Sequence, residues 1–349
     1  MQLLEVAGFR NIQYMRINPD PHLNIIVGGN AAGKTSILEA IYFLSRVRSF
    51  RTQQLNHLVN WENKSCHVFA KRDNDRMGVS RENSINTIRF NGKNLTGRTV
   101  LAERLPVQLI NTEHQRLLLD GPKVRRQFLD WGVFHLDNNH RKTALRFNEA
   151  LRQRNSALRS NNSRVAAAWI PILASSAAKL DRARREFINS IQPIWSELTS
   201  LWLGLDNLQL NYRGSAPAYE DWIGFFNDYG QRDIELGYTG RGPHRADLRL
   251  SMNKTPAAEV LSRGQQKLLV VALLISEVQL WSKKGLIPLL LIDDLAAELD
   301  PKHLGCVMRS VSSSNAQTFL TVIDTSPLPK QGEQGSWFTI ASGSLQPML

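Results

Sequence analysis

The chain has 349 residues, 42% of them apolar, which is enough to bury a sizeable core and to form two domains or one domain with an insertion. Its 43 Lys and Arg against 31 Asp and Glu leave a net charge of +12, which favours a polyanionic partner, nucleic acid ahead of an anionic membrane surface, because neutralised phosphates release condensed counterions. Two distant cysteines, Cys66 and Cys306, exclude a disulfide framework and a cysteine zinc site, and no apolar run nears the roughly 20 residues that cross a bilayer.

The opening "MQLLEVAGFRNIQ" has no basic leader or cleavage site, so the chain is expected to stay in the cytoplasm. "QLLEVAGF", "YMRINP", "LNIIVGG", "CHVFAKRD" and "NTIRFNG" are short, partly alternating runs between Asn, Asp and Gly turns and predict strands. One helix interrupts them, starting at Gly33, with Ile37, Leu38, Ile41, Tyr42 and Leu44 as its apolar stripe. After the strand "PVQLINT", residues 122 to about 203 read as an Arg-rich helical arm with a turn at Asn161–Ser163 between two long helices. Between Lys123 and Arg185 lie fourteen Lys or Arg and only four Asp or Glu, many at helical spacing, as in Arg141, Lys142, Arg146, Arg152, Arg154 and Arg159. Strands return in "ADLRLSMN", "IPLLLIDD", "AQTFLTVID" and "SWFTIAS", with helices after Gly264 and near 301–312. The expected fold is α/β, a head with a mixed sheet that the chain leaves for a helical insertion and re-enters. Its boundaries are set at 1–120 for the first part of the head, 121–232 for the arm and 233–349 for the second part of the head.

"GGNAAGKT" fits G-x-x-x-x-G-K-[ST], directly after a strand and directly before an amphipathic helix. The candidate phosphate cradle is Gly28, Gly29, Asn30, Ala31, Ala32, Gly33, Lys34, Thr35 and Ser36. Lys34 would reach the outer phosphates and Thr35 would offer its hydroxyl to Mg²⁺. "LLLIDD" ends an apolar strand in two acids; Asp293 is assigned to Mg²⁺, directly or through water, and Asp294 to polarising the attacking water. Two acids after a strand could instead cap a helix. Eight scattered His residues offer no metal pair.

"LSRGQQK" opens a second helix with a second glycine turn, in which Ser262 and Gly264 with the adjoining N–H groups make another anion cradle. Two heads face to face would let each complete the other's site. Gly28–Thr35, Leu261–Lys267 and Leu289–Asp294 with "LAAELD" together resemble the phosphate loop, signature, acid strand and D-loop of the ABC-type ATPases. "GFRNI", "RSFR", "GPKVRRQFLDW" and "GYTGRGPHRADL" narrow the resemblance, over nearly the whole chain, to the recombination-repair branch of that family, related to SMC and Rad50 heads.

The resemblance implies ATP and Mg²⁺ as cofactors and a weak, DNA-dependent ATPase used as a switch. It implies an ATP-dependent homodimer on double-stranded and gapped DNA, working with RecR and RecO, indirectly with RecA, and in the SOS response, in the cytoplasm at the nucleoid and without a membrane. By position, Ser262, Arg263, Gly264 and Gln265 would contact the γ-phosphate held by the partner copy, and Asp300 would lie in the D-loop. Arg125, Arg126, Arg152 and Arg154 are the DNA candidates. Gly242, His244 and Arg245 match a family block whose chemistry the residues do not reveal. Ala31 stands where a glycine is usual, Asp294 where many ABC ATPases have glutamate, which predicts slow turnover, and Ala246 where an acid is usual. No histidine follows the strand ending at Asp324 and Thr325 to sense the γ-phosphate. A membrane-transporter ATPase shares the motifs but not the basic arm, and a small-molecule kinase leaves the second turn unexplained.

Overall fold

Leu289–Ile292 is buried at every position and pairs in parallel on both edges, with Gln317–Val322 on one side and Val107–Ile110 on the other. A strand covered on both faces needs an unbroken apolar run. The structure, a computed structural model, describes residues 1–214, 221–325 and 335–347. The sheet around Leu289–Ile292 has six strands, continuing from Gln317–Val322 through Leu23–Val27 and Ser336–Ala341 to Ser344–Pro347, of which only the last runs antiparallel.

A second six-stranded sheet is antiparallel, in the order Ile12–Ile17, Leu3–Phe9, Ser65–Arg72, Asp75–Glu82, Ile85–Phe90 and Lys93–Leu95. Burial alternates along Ser65–Arg72, so one face is solvated and the other packs inward. The inward face, with Val6, Val68 and Val79, shares a core with Ile37, Leu38, Ile41 and Leu44 of the helix Lys34–Arg46. Both sheets belong to one compact unit, residues 1–114 and 271–349.

The other unit is residues 115–270. It holds the helices Pro122–Leu136, His140–Arg159, Ser163–Ala168 and Ile170–Leu203. The turn expected at Asn161–Ser163 is present, but a short extra helix follows it, capped by the Asn162 side chain, which accepts the Val165 N–H at 3.1 Å. The long helix ends at Gly204, whose φ of 64° few other residues adopt. Phe147, Leu173, Ala177, Trp222, Phe225 and Phe226 form the core of this unit. Sequence periodicity missed the strand Leu208–Arg213, which pairs antiparallel with Asp247–Met252 in a separate three-stranded sheet. That pairing ties residues 233–270, expected with the second part of the head, to the inserted unit instead. Among the described residues no helix is long and apolar enough to cross a membrane.

Candidate nucleotide site and signature turn

The loop after Leu23–Val27 is shaped by residues that leave no room for a side chain. A Cβ on Gly28 would lie 2.6 Å from the Ile340 carbonyl oxygen. Gly33, with φ 117°, would place a Cβ 2.9 Å from Ile340 Cδ1 and 3.0 Å from Asn11 Nδ2. Ala31 takes φ 62°, a left-handed conformation that explains why glycine is the usual residue there. Asn11 braces the loop, donating from Nδ2 to the Ala31 carbonyl at 3.3 Å and accepting from Ser36 Oγ at 2.9 Å.

Lys34 is 5% exposed, and its ammonium donates to the carbonyls of Gly28 at 2.8 Å and Gly29 at 3.1 Å. Thr35 Oγ1 donates to Asp293 Oδ1 at 3.0 Å. The helix Lys34–Arg46 has no acid in its first turn, so its positive end is uncompensated and suits an anion. The structure therefore gathers the loop, Asp293 and Asp294 at one place.

Thr321, missed in the sequence, connects them. Gln317–Val322 lies between Leu23–Val27 and Leu289–Ile292. From it Thr321 Oγ1 donates to Asp293 Oδ1 at 2.8 Å and accepts the Asp294 N–H at 3.0 Å. Asp294 is held at φ 51°, an uncommon backbone for a non-glycine residue, with its carboxylate 3.9 Å from Lys34 Nζ. Burial raises the Asp294 pKa above the usual carboxylate value; Lys34 opposes the shift and Asp293 adds to it. Thr321 is flanked by Leu320 and Val322 in a strand buried at every position, and a hydroxyl between two apolar residues there was the available signal.

Two of the sequence blocks meet on Glu39 of the P-loop helix, whose side chain is 0% exposed. Arg10 donates to it through Nε at 2.9 Å and Nη2 at 2.8 Å, Arg51 lies 3.6 Å away, and Ser49 donates to it. "GFRNI" and "RSFR" thus clamp the P-loop helix through a charge-assisted network. A cleft of about 670 Å³ opens over the loop, with Arg10, Arg51, His57, Trp61 and Asp294 on its walls. Trp61, 88% exposed, was also missed.

In the other unit, Ser262 precedes the helix Arg263–Lys283 and forms a capping box with Gln265. The Ser262 N–H donates to Gln265 Oε1 at 2.9 Å and the Gln265 N–H to Ser262 Oγ at 3.3 Å. Ser262, Arg263 and Gly264 are exposed, and no heavy atom lies within 4 Å of a Cβ placed on Gly264. Asp300 caps the helix Pro301–Ser312, accepting the N–H groups of Lys302 and His303 at 3.1 Å each.

The arginine candidates divide. Arg154 is 2% exposed and gives its guanidinium to Asp233 at 2.7 Å and Thr239 Oγ1 at 2.6 Å, so it cannot reach a phosphate. Arg125 is likewise spent on Asp247, at 2.7 and 3.2 Å, and on the Leu117 and Asp120 carbonyls. Arg154 was a DNA candidate from the basic arm and Arg125 from the block "GPKVRRQFLDW"; the burial of the first and the ion pair of the second leave neither guanidinium free for a phosphate. Arg126 is half-buried and donates to the Ala246 carbonyl at 2.8 Å, and burial lowers its pKa. Arg152 stays exposed beside Glu149, as do Arg141, Lys142, Arg146 and Arg159. The "GPHRAD" block is a pinned turn: Gly242 has φ 137°, His244 shares a hydrogen bond with the Thr239 carbonyl at 3.0 Å, and Arg184 donates to the Pro243 carbonyl at 2.7 Å. Burial pushes the His244 pKa down to about 4, so it is a neutral structural imidazole.

The fold and this site define an ATPase of the ABC type. The family model "RecF/RecN/SMC N terminal domain" matches residues 1–336, and the chain belongs to that family. A DNA replication and repair protein RecF from Pseudomonas entomophila (strain L48) is 40% identical over 334 residues, covering 93% of this chain and 91% of the relative. One from Stutzerimonas stutzeri (strain A1501) is 40% identical over 98% of this chain and 96% of the relative. A solved structure of the recombination mediator RecF with ATP superposes with TM-score 0.84 at 24% identity, covering 100% of this chain and 97% of that one. An Smc head bound to the C-terminal winged-helix domain of ScpA shares the fold at TM-score 0.60 and 14% identity, over 99% of this chain and 96% of that one.

Proposed function

We propose that this protein is an ATP-switched homodimer that holds DNA during recombinational repair. In one copy Lys34 and the loop amides bind the triphosphate; Ser262, Arg263, Gly264 and Gln265 of a second copy close over the γ-phosphate, with Asp300 at the junction. The observation that carries the reading is Gly264, a glycine whose own chain places nothing against it, standing exposed at the positive end of a 21-residue helix. The Ser262–Gln265 cap accounts for the serine within one copy, but not for that open glycine.

The Thr35 hydroxyl and Asp293 carboxylate, 3.0 Å apart, are hard oxygen donors that fit Mg²⁺. Among the described residues no group of three His, Cys, Asp or Glu could hold a metal, which suits an ion that fills its other positions with water and phosphate oxygens. When bound, Mg²⁺ neutralises charge developing on the β- and γ-phosphates. Asp294 orients the attacking water and accepts its proton at the carboxylate, a task that its raised pKa favours. Being one methylene shorter than glutamate, it does so slowly, and the dimer persists between turnovers.

The exposed Arg141, Lys142, Arg146, Arg152 and Arg159 provide the sequence-independent attraction for duplex or gapped DNA. The RecFOR pathway named for the solved homologue supports RecR and RecO as partners; RecA downstream and the cytoplasmic nucleoid as the location rest on the resemblance read in the sequence.

Sedimentation of wild type, Lys34→Met, Ser262→Arg and Asp294→Asn, with and without ATP and DNA, tests the proposal. Asp294→Asn should accumulate the ATP-bound dimer, and neither Lys34→Met nor Ser262→Arg should pair with itself. If Asp294→Asn came apart as readily as wild type, the water-activating role would be wrong. A hydrolysing site complete within one chain would overturn the shared pocket.

A further inference from the structure

The outward face of the antiparallel sheet carries a cleft of about 570 Å³ that neither the nucleotide site nor the basic arm uses. Phe69 lies opposite Gly78 on the neighbouring strand, and Gly78 opposite Arg89 on the next, so the three form a row across Ser65–Arg72, Asp75–Glu82 and Ile85–Phe90. His67 stands two residues before Phe69 on the same face. Residues so spaced are about 6.8 Å apart along a strand, room for one planar ring between them.

Gly78, itself buried beside the His67 and Phe69 side chains, forms the floor of that slot. Its φ is not in the left-handed region, and a Cβ would meet His67 Cε1 at 3.6 Å and Phe69 Cδ2 at 3.8 Å, both ordinary contacts. Neither backbone geometry nor packing requires a glycine, and an interior strand glycine weakens the sheet while leaving space for a ligand's close approach. Arg76 and Arg89 line the same cleft, both exposed, and among the described residues neither has a carboxylate within ion-pair distance. Arg89 donates to the amide oxygen of Asn94 at 3.1 Å. Among the described residues no Asp or Glu lines the cleft. Burial lowers the His67 pKa, with Glu5 opposing and Arg89 adding to the shift, so the ring facing the slot is the neutral imidazole.

We propose that this cleft binds one unpaired nucleotide of a DNA strand, with its base between His67 and Phe69 over Gly78 and its flanking phosphates on Arg76 and Arg89. An aromatic wall on an open sheet face needs a base whose flat surface is free, which a duplex does not offer and a single strand does. An acidic peptide would use the guanidinium groups but leave the glycine-floored slot between two rings idle. The inference rests on the DNA-binding reading above and adds a place for the single strand at a gap, in the head unit and separate from the arm.

The test measures binding of the full chain to a labelled single-stranded oligonucleotide and to a blunt duplex by anisotropy over a salt series, for wild type, Gly78→Val and Arg76→Ala/Arg89→Ala. Closing the slot with Gly78→Val should weaken single-strand binding about fivefold or more, the lower end of one lost base stack. The double arginine variant should flatten the salt slope for single strands by about 1.4, from two lost phosphate contacts. Duplex affinity and ATP binding should match wild type in both, with a thermal midpoint no lower than wild type; the arginine pair decides the matter should Gly78→Val fail to fold. Single-strand binding unchanged in the folded variants, or duplex binding lost in parallel, overturns this site while leaving the arm reading intact. Wild type that binds neither DNA overturns both, and an acidic peptide competing for the cleft while single strands do not overturns the choice of ligand.

Discussion

Replacing Thr321 by valine tests whether the acid pair depends on a hydroxyl from the strand beside it. The swap keeps the β-branched shape in a strand buried at every position, so packing is nearly unchanged. It removes the 2.8 Å bond to the Asp293 carboxylate and the 3.0 Å bond from the Asp294 N–H. A hydrogen bond to a charged group contributes about 1.5–3 kcal/mol, and an unpaired buried N–H costs about 1–3 kcal/mol. Asp293 keeps its bond from Thr35, and the added methyl returns about 0.8 kcal/mol of burial, so a net loss of roughly 2–5 kcal/mol is expected. The Asp294 backbone also loses the contact that holds its left-handed conformation, so its carboxylate should wander from the attacking water. ATP hydrolysis should fall about tenfold or more, the scale of a misplaced catalytic group. The affinity for ATP should stay within about twofold, because Lys34 and the loop glycines are untouched. Thermal unfolding, single-turnover hydrolysis and nucleotide titration together check this. Hydrolysis at the wild-type rate in a protein of wild-type stability would refute the argument, since the two bonds would then be doing nothing.

Glu277, on the helix Arg263–Lys283, is 0% exposed with neither carboxylate oxygen hydrogen-bonded among the described residues, and burial raises its pKa well above 4.5 although Arg46 opposes the shift. A raised folded-state value means that its contribution is fully present below pH 4.5 and is lost as pH climbs towards the folded value. Glu277→Gln should therefore melt higher than wild type at neutral and alkaline pH, with the difference shrinking towards pH 4.5; a constant difference across the melting series would contradict this. Arg154→Ala should destabilise the inserted unit by about 3–5 kcal/mol by leaving Asp233 buried without its partner, read by denaturant unfolding, and any loss of DNA binding should follow only the loss of folded protein. Ala31→Gly relieves a left-handed alanine of about 1–2 kcal/mol but adds glycine entropy of about 0.5–1 kcal/mol, so stability should be unchanged or rise by up to about 1 kcal/mol with ATP affinity retained.

The sequence by itself determined the chemistry that repeats locally. "GGNAAGKT" between a strand and a helix, the apolar run ending in Asp293 and Asp294, and the glycine turn "LSRGQQK" opening a second helix are each contained in a few consecutive residues, and periodicity with turn chemistry reads such segments directly. The tertiary structure decided whatever depends on distant residues meeting. Thr321 became part of the acid site because Gln317–Val322 inserts between Leu23–Val27 and Leu289–Ile292, an order of strands that no local pattern encodes. Glu39 became the meeting point of Arg10, Ser49 and Arg51 in the same way. Helical spacing set Arg152 and Arg154 side by side in the sequence as two basic residues of one stripe; the fold turned one to solvent and buried the other against Asp233, because a two-residue step on a helix rotates by about 200°. Charge is legible from residue type alone. Whether that charge faces a ligand or closes an internal ion pair depends on what the folded chain brings opposite it.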